Sequence, residues 1–217
     1  MRAVLVILVF FAVASAILFG SAGRIDLPFF WGVIGISMGF MLVNILILDP
    51  ELRKERLKPG EGGISRKFRV MMMPLILGSW VIAGLDVGRF HWADTVPVTL
   101  RWIGLVGLAA AMVLAMWATH TNRFFSPVIR VQAERGHHVI ETGPYAFIRH
   151  PGYAGTVVAF LGSALAFGSW LAVSLAVPYA ALVAHRTLIE ERFLQENLTG
   201  YSDYFAKVRS RWIPGIW

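Results

Sequence analysis

Between Gly136 and Gly155 the chain reads GHHVIETGPYAFIRHPGYAG, a polar, turn-rich stretch lying between apolar runs. It gathers His137, His138 and His150 with Arg149, Tyr145 and Tyr153, and it contains two X-Pro steps, Gly143-Pro144 and His150-Pro151. A proline disfavours helical backbone at the residue before it, so neither step suits a helix interior. Pro151 does suit the first turn of a following helix, where its missing N–H leaves nothing unsatisfied. The segment is therefore expected to be a folded loop capping a helix N-terminus, where free N–H groups and the helix dipole favour an anion. Arg149 and His150 would strengthen that preference. The competing reading is an interfacial turn whose basic residues face lipid phosphate.

A second constellation is Arg186 with Glu190-Glu191. Residues four apart share one helix face, so Arg186 and Glu190 are expected to lie side by side. Such spacing often marks no more than a surface ion pair. Here it falls at the end of an apolar run, and ionisable groups at a membrane boundary are more often functional. Together the two segments offer an anion site, a carboxylate that favours cations, and the aromatic walls Tyr145 and Tyr153.

Other chemistries find less support. The chain has no cysteine, which removes disulfides, thiolate metal sites and a cysteine nucleophile. His137, His138, His150 and His185 match no zinc spacing, HExxH is absent, and no metal site is expected. Glycine-rich nucleotide loops are absent as well.

The elements that must position these residues are membrane helices. Hydrophobic residues make up 57% of the 217 and charged residues 15%, against roughly 45–50% and about 25% in typical globular proteins. Apolar runs predict helices near Ala3–Phe19, Leu27–Leu48, Val70–Leu85, Val98–Ala118, Tyr153–Phe167 and Trp170–Ala184, the last two joined by Gly168-Ser169 as a tight hairpin. Beyond Ala184, apolar and charged residues mix at helical spacing, so the last span should continue as an amphipathic helix, with Leu188, Phe193 and Leu194 lining a buried or interfacial face. The first run competes with a signal-peptide reading, given Met1-Arg2 and an A-x-A-like end at Ala14–Ala16; its length favours a retained span.

The net charge of +7 is distributed unevenly, which fits membrane topology rather than nucleic-acid binding. Arg53, Lys54, Arg56, Lys58, Arg66, Lys67 and Arg69 fill one connection. Arg123, Arg130, Arg135 and Arg149 lie in a second, and Arg186, Arg192, Lys207, Arg209 and Arg211 follow the last span. Only Arg24, Arg89 and Arg101 fall on the opposite side. Six crossings then put both termini and all three basic segments in the cytoplasm.

HHVIETGPYAFIRHPGYAG, followed by RTLIEERFL and YSDYFAKVRSRWIP, resembles the isoprenylcysteine carboxyl methyltransferase family, which also takes in phospholipid N-methyltransferases and bacterial membrane relatives. The resemblance covers Gln132 to Pro214 and points to a prokaryotic member. It implies an all-α polytopic bundle of about six helices. Residues 1–118 would form the N-terminal spans, and 119–217 a region binding S-adenosylmethionine, with S-adenosylhomocysteine as product. Matched by motif, the cofactor contacts are Gln132, His137, His138, Val139, Ile140, Tyr145, His150, Pro151, Gly152, Tyr153 and Glu190. Gln132 is offset by one residue from the family pattern, and the Glu190-Glu191 doublet leaves open which carboxylate acts. Arg186 would orient the methyl acceptor, with Glu190 as the second catalytic residue.

The expected activity is methyl transfer to a lipophilic carboxylate, thiol or amine at the cytosolic face, in a bacterial inner membrane. The bilayer and the acceptor would be its partners, and nucleic acid would not. Two other classes are a sterol-reductase-type enzyme using NADPH and a non-enzymatic membrane protein. The second would predict ionisable residues within the spans, where Asn44 alone stands out as polar deep in an apolar run.

Overall fold

A computed structural model describes residues 2–59 and 64–217, and the side chains of residues 2, 3 and 64–66 fall outside the description. Met1 and the side chains of Arg2 and Arg66, which entered the leader and topology expectations, are thus outside the described residues.

The described residues are helical and contain no strand. The helices are α1 (Arg2–Ala22), α2 (Pro28–Ile47), α3 (Pro50–Leu57), α4 (Ile64–Leu85), α5 (Val98–Thr121), α6 (Pro151–Phe167), α7 (Trp170–Ser174), α8 (Ala176–Asn197) and α9 (Tyr201–Lys207). Five stretches are long and apolar enough to cross a membrane: Val4–Ala22, Pro28–Ile47, Lys67–Phe90, Val98–Thr121 and Trp170–Asn197. The sixth apolar helix, α6, is shorter at 17 residues, or about 25 Å at 1.5 Å per residue. The result is a polytopic helical bundle, as expected.

Sequence explains the main boundaries. Proline opens α2, α3 and α6, in the position where a lost N–H costs no helical bond. Asp49 caps α3, its Oδ1 accepting from the N–H groups of Glu51 (2.9 Å) and Leu52 (3.1 Å). The last span is broken between α7 and α8 at Leu175. Pro178 accounts for the break, because its ring cannot donate to, and clashes with, the carbonyl four residues earlier. From Ala176 the helix runs unbroken to Asn197, so the apolar span and its amphipathic extension are one rod.

The α5–α6 pair forms the spine. Gly104 and Gly162 bring the two backbones together so closely that a Cβ on Gly104 would lie 2.6 Å from the Gly162 carbonyl oxygen, and one on Gly162 2.7 Å from that of Gly104. In a bilayer, where burial of apolar surface does not drive helices together, such contact is a main source of association. Phe19, Phe30, Leu108 and Phe167 pack α1, α2 and the spine into one core.

The hairpin turn is fastened at the end of the bundle away from the polar loop. Gly168 ends α6 with φ 94°, a left-handed conformation that glycine adopts without strain. Ser169 caps α7 and donates to the buried Asp86, which also accepts the Ala93 N–H at 2.8 Å. Arg101 donates to the terminal α6 carbonyls of Ala166 (3.2 Å) and Phe167 (3.4 Å). Arg89 likewise donates to the Gly20 carbonyl near the end of α1 (3.0 Å), and Arg24 pairs with Asp26, so the cations of this end are engaged away from the polar loop.

Candidate active site

At the basic end, α3, the start of α4, the α5–α6 connection, the end of α8 and α9 enclose a cavity of about 390 Å³. Its size falls in the ~300–1,000 Å³ range of small-molecule sites. Of the residues singled out from sequence, His137, His138, Val139, Ile140, Tyr145, His150, Gly152, Tyr153, Arg186 and Glu190 line it. Gln132 and Pro151 do not. Gln132 is fully buried behind the wall, where Nε2 donates to the Phe124 carbonyl (2.7 Å) and Oε1 accepts from Arg135. Pro151 is the first residue of α6 and shapes the entry of the chain.

The α5–α6 connection is held by its own polar groups. His137 Nδ1 accepts the Gln132 N–H at 3.1 Å, so the proton of the neutral ring sits on Nε2. Its ring stacks on Phe124 at 4.3 Å. Burial, reinforced by His138, Arg130 and Arg135, pushes the His137 imidazole down to about 4. Gly143 takes φ 58° beside Thr121, where a Cβ would lie 2.8 Å from Oγ1. Tyr145 is buried, with its hydroxyl donating to the Ala118 carbonyl at 3.3 Å. The Tyr204 hydroxyl donates to the Tyr145 carbonyl at 2.7 Å and so ties α9 to this loop.

Glu190 and Glu191, indistinguishable in sequence, occupy opposite environments. Glu190 lines the cavity and accepts a short hydrogen bond from the Tyr153 hydroxyl. That hydroxyl accepts in turn from Arg186 Nε at 2.7 Å, while Arg186 Nη2 donates to the Pro127 carbonyl at 2.8 Å. Arg186, Tyr153 and Glu190 thus form one chain of hydrogen bonds along the cavity wall.

Glu191 faces away from the cavity and is buried, its Oε1 accepting from Arg149 Nε (2.7 Å) and its Oε2 from Arg211 Nε (2.8 Å). Arg149 also reaches the Val208 carbonyl. The N–H groups of Arg149 and His150 donate to the carbonyls of Ser210 and Arg211, each at 2.9 Å. This corrects one expectation from sequence. Arg149 and the N–H groups just ahead of α6 do not form an open anion seat, because Glu191 neutralises the cation and the C-terminal tail takes the donors.

Two buried polar atoms on lining residues have no hydrogen-bond partner among the described residues, His150 Nε2 and the Tyr201 hydroxyl. His150 Nε2 lies 3.3 Å from Glu191 Oε1 without forming a hydrogen bond. A buried hydroxyl left unpaired is costly, so Tyr201 suits a ligand that can hydrogen-bond to it, whereas His150 Nε2, within ion-pair distance of Glu191, is the less open of the two. Tyr201 was missed from sequence, as were the lining residues Arg56 and Tyr204. Tyr201 and Tyr204 fall within the YSDYFAKVRSRWIP segment and Arg56 outside every motif, and all three reach the cavity through the fold. The arrangement offers a carboxylate, aromatic and apolar walls (Phe124, Phe125, Leu194, Leu198), free donors and several arginines. That set fits a molecule carrying an ammonium, a carboxylate and a flat heterocycle.

The phospholipid methyltransferase (PEMT) family matches residues 99–200, from α5 through the end of α8. The fold resembles the eukaryotic intramembrane Ras methyltransferase ICMT, isoprenylcysteine carboxyl methyltransferase. The TM-score is 0.56 at 23% identity, covering 85% of this chain and 68% of that one. The chain is ICMT-like in fold. A probable protein-S-isoprenylcysteine O-methyltransferase of Oryza sativa subsp. indica is 31% identical over 114 residues, 51% of this chain and 60% of that protein. The nickel-cobalt-cadmium resistance protein NccN of Alcaligenes xylosoxydans xylosoxydans is 26% identical over 131 residues, 59% of this chain. The cobalt-zinc-cadmium resistance protein CzcN of Cupriavidus metallidurans is 27% identical over 154 residues, 65% of this chain. The chain spans 57% and 65% of the lengths of these two resistance proteins. The region that matches the phospholipid methyltransferase family model and the walls of the cavity coincide for the most part, and α3, the start of α4 and α9 complete the enclosure.

Proposed function

We propose that this ICMT-like protein is a methyltransferase that uses S-adenosylmethionine to methylate a lipophilic acceptor at the cytosolic face of a bacterial inner membrane. The observation that carries the proposal is the convergence of the Arg186–Tyr153–Glu190 hydrogen-bond chain with the unpartnered Tyr201 hydroxyl and His150 Nε2 in one cavity. These groups fit the cofactor. Glu190 would hold its ammonium, Tyr201 and His150 would hydrogen-bond its acceptors, and His137, His138, Val139, Ile140, Tyr145 and Leu198 would enclose the heterocycle. When bound, S-adenosylmethionine supplies a methyl group on a sulfonium, and transfer leaves a neutral thioether.

The residues of the chain position rather than activate. In-line displacement at carbon depends chiefly on holding the partners in register. Arg186, fixed through Nε and Nη2, leaves Nη1 to orient an acidic acceptor. A carboxylate acceptor is already a nucleophile, so nothing need remove a proton. A thiol or amine would require a base, and Glu190 stands at the wall to serve as one. The crowding of basic residues at this end of the bundle supports a cytosolic orientation for the site.

Transfer of tritiated methyl from S-adenosylmethionine to N-acetyl-S-farnesylcysteine, or to a lipid extract, scored as label in the organic phase, tests the assignment. Label is expected with the wild-type chain and at background with Arg186→Ala. Absence of label with this acid and with a lipid extract, from protein that is folded, would refute the proposal.

A further inference from the structure

The cations around the cavity divide into those with partners and those without. Arg130 pairs with Glu55 and Glu134, each at 2.8 Å, and Arg149 is held by Glu191. Arg186 is engaged by Tyr153 and Pro127. Arg56 and Arg69 line the cavity with no carboxylate in ion-pair range among the described residues. Arg69 is exposed, whereas Arg56 is half-buried, its guanidinium 5.1 Å from the centre of the Phe125 ring. Burial lowers the Arg56 guanidinium below its ordinary value, with Tyr145 acting weakly the other way. A partly buried cation without an anion is unfavourable unless something else completes it.

Its position is built rather than incidental. α3 is capped by Asp49 and packed through the buried Leu52. Glu55, the neighbour of Arg56, is also buried. It accepts from Ser126 Oγ (2.7 Å) and Arg130 Nη2 (2.8 Å), which fastens α3 to the α5–α6 connection. Phe125, under the guanidinium, presses on the start of α6, where a Cβ on Gly152 would lie 2.7 Å from the ring. Arg56 therefore stands in a layer with Phe125 and Gly152, beside the loop whose own arginine is neutralised.

We propose that Arg56, delivered by α3, binds an anionic group of a ligand in this cavity, a carboxylate or phosphate taken by the guanidinium fork. The inference rests on the methyltransferase proposal. Two sources share the chemistry: the amino-acid carboxylate of the methyl donor and an acid group on the acceptor.

Calorimetry on the full-length protein in detergent separates them. S-adenosylhomocysteine is titrated against 5′-methylthioadenosine, which keeps the nucleoside and thioether but lacks the amino acid. N-acetyl-S-farnesylcysteine is titrated against its carboxamide. Arg56→Gln should weaken S-adenosylhomocysteine tenfold or more and spare methylthioadenosine if the anion is the donor's. It should instead weaken the farnesylcysteine acid and spare the carboxamide if the anion is the acceptor's. Arg56→Lys should retain part of the affinity in either case, and Lys54→Gln, on the same helix, should match wild type. Folding of each variant is checked by thermal unfolding; if Arg56→Gln fails to fold, Arg56→Lys against Lys54→Gln decides. Unchanged affinity of the Arg56 variants for every probe overturns the inference while leaving the proposed function standing. Wild-type protein that binds no sulfur nucleoside removes both. If it binds the nucleoside but not the acid, the nucleoside arm alone decides.

Discussion

Glu190 and Glu191 are adjacent in sequence and separated in environment because successive helical residues point about 100° apart. Substituting each should therefore produce a different failure. Glu190→Ala is expected to weaken S-adenosylhomocysteine binding about tenfold, on the order of 1.4 kcal/mol, with little effect on unfolding. Glu191→Ala leaves Arg149 and Arg211 facing each other without an anion, and breaking a buried pair in this way costs about 3–5 kcal/mol. Its effect should appear first as a lower melting temperature. Arg186→Ala should reduce turnover more than nucleoside affinity, and the reverse pattern in calorimetry would remove it as acceptor clamp. A titration signature belongs to His137. Its folded value near 4 lies below the ordinary 6.5, so below pH 6.5 the unfolded chain takes up a proton that the folded ring resists. Stability from this group is whole above pH 6.5 and drains as pH falls toward 4. Thermal unfolding across that range should show the loss in wild type and a flatter profile in His137→Asn, whose amide oxygen can still accept from Gln132.

Among the elements, the spine and the tail do the positioning. The Gly104–Gly162 contact allows no side chain, so Gly162→Leu is expected to separate α5 from α6. Overpacking of this kind typically costs about 1–3 kcal/mol or more, read as a fall in melting temperature together with weaker nucleoside binding. Much of this level was legible in the sequence. Hydrophobic runs marked all six apolar helices, and the X-Pro steps marked the loop and the first residue of α6. The Arg186/Glu190 spacing placed both on one face. What could not be read depends on tertiary contact. The role of Arg149 reversed because its partner, Glu191, lies 42 residues away. Tyr201 and Tyr204 enter the cavity because α9 folds back against the loop. Arg56 looked like one more cation in a basic connection until Glu55 fastened its helix to the loop after α5.

For the molecule as a whole, the two ends of the bundle do different work. One end uses Asp86, Ser169 and Arg101 to satisfy helix termini. The other concentrates basic residues, the cavity and α9, whose Tyr201 and Tyr204 line it. A second cavity, of about 280 Å³ and almost wholly apolar, lies deeper among α1, α2, α4, α5 and α6 and shares Ile76, Thr156 and Tyr179 with the first. This continuity accords with an acceptor that arrives from the bilayer while its polar group reaches Arg186. The basic-end cavity is the proposed seat of a sulfur nucleoside. Calorimetry of the purified protein with S-adenosylmethionine, S-adenosylhomocysteine and NADPH tests it most directly. Saturable binding of both sulfur nucleosides, weakened about tenfold by Glu190→Ala and absent for NADPH, is expected. Binding of NADPH with neither sulfur nucleoside would contradict it.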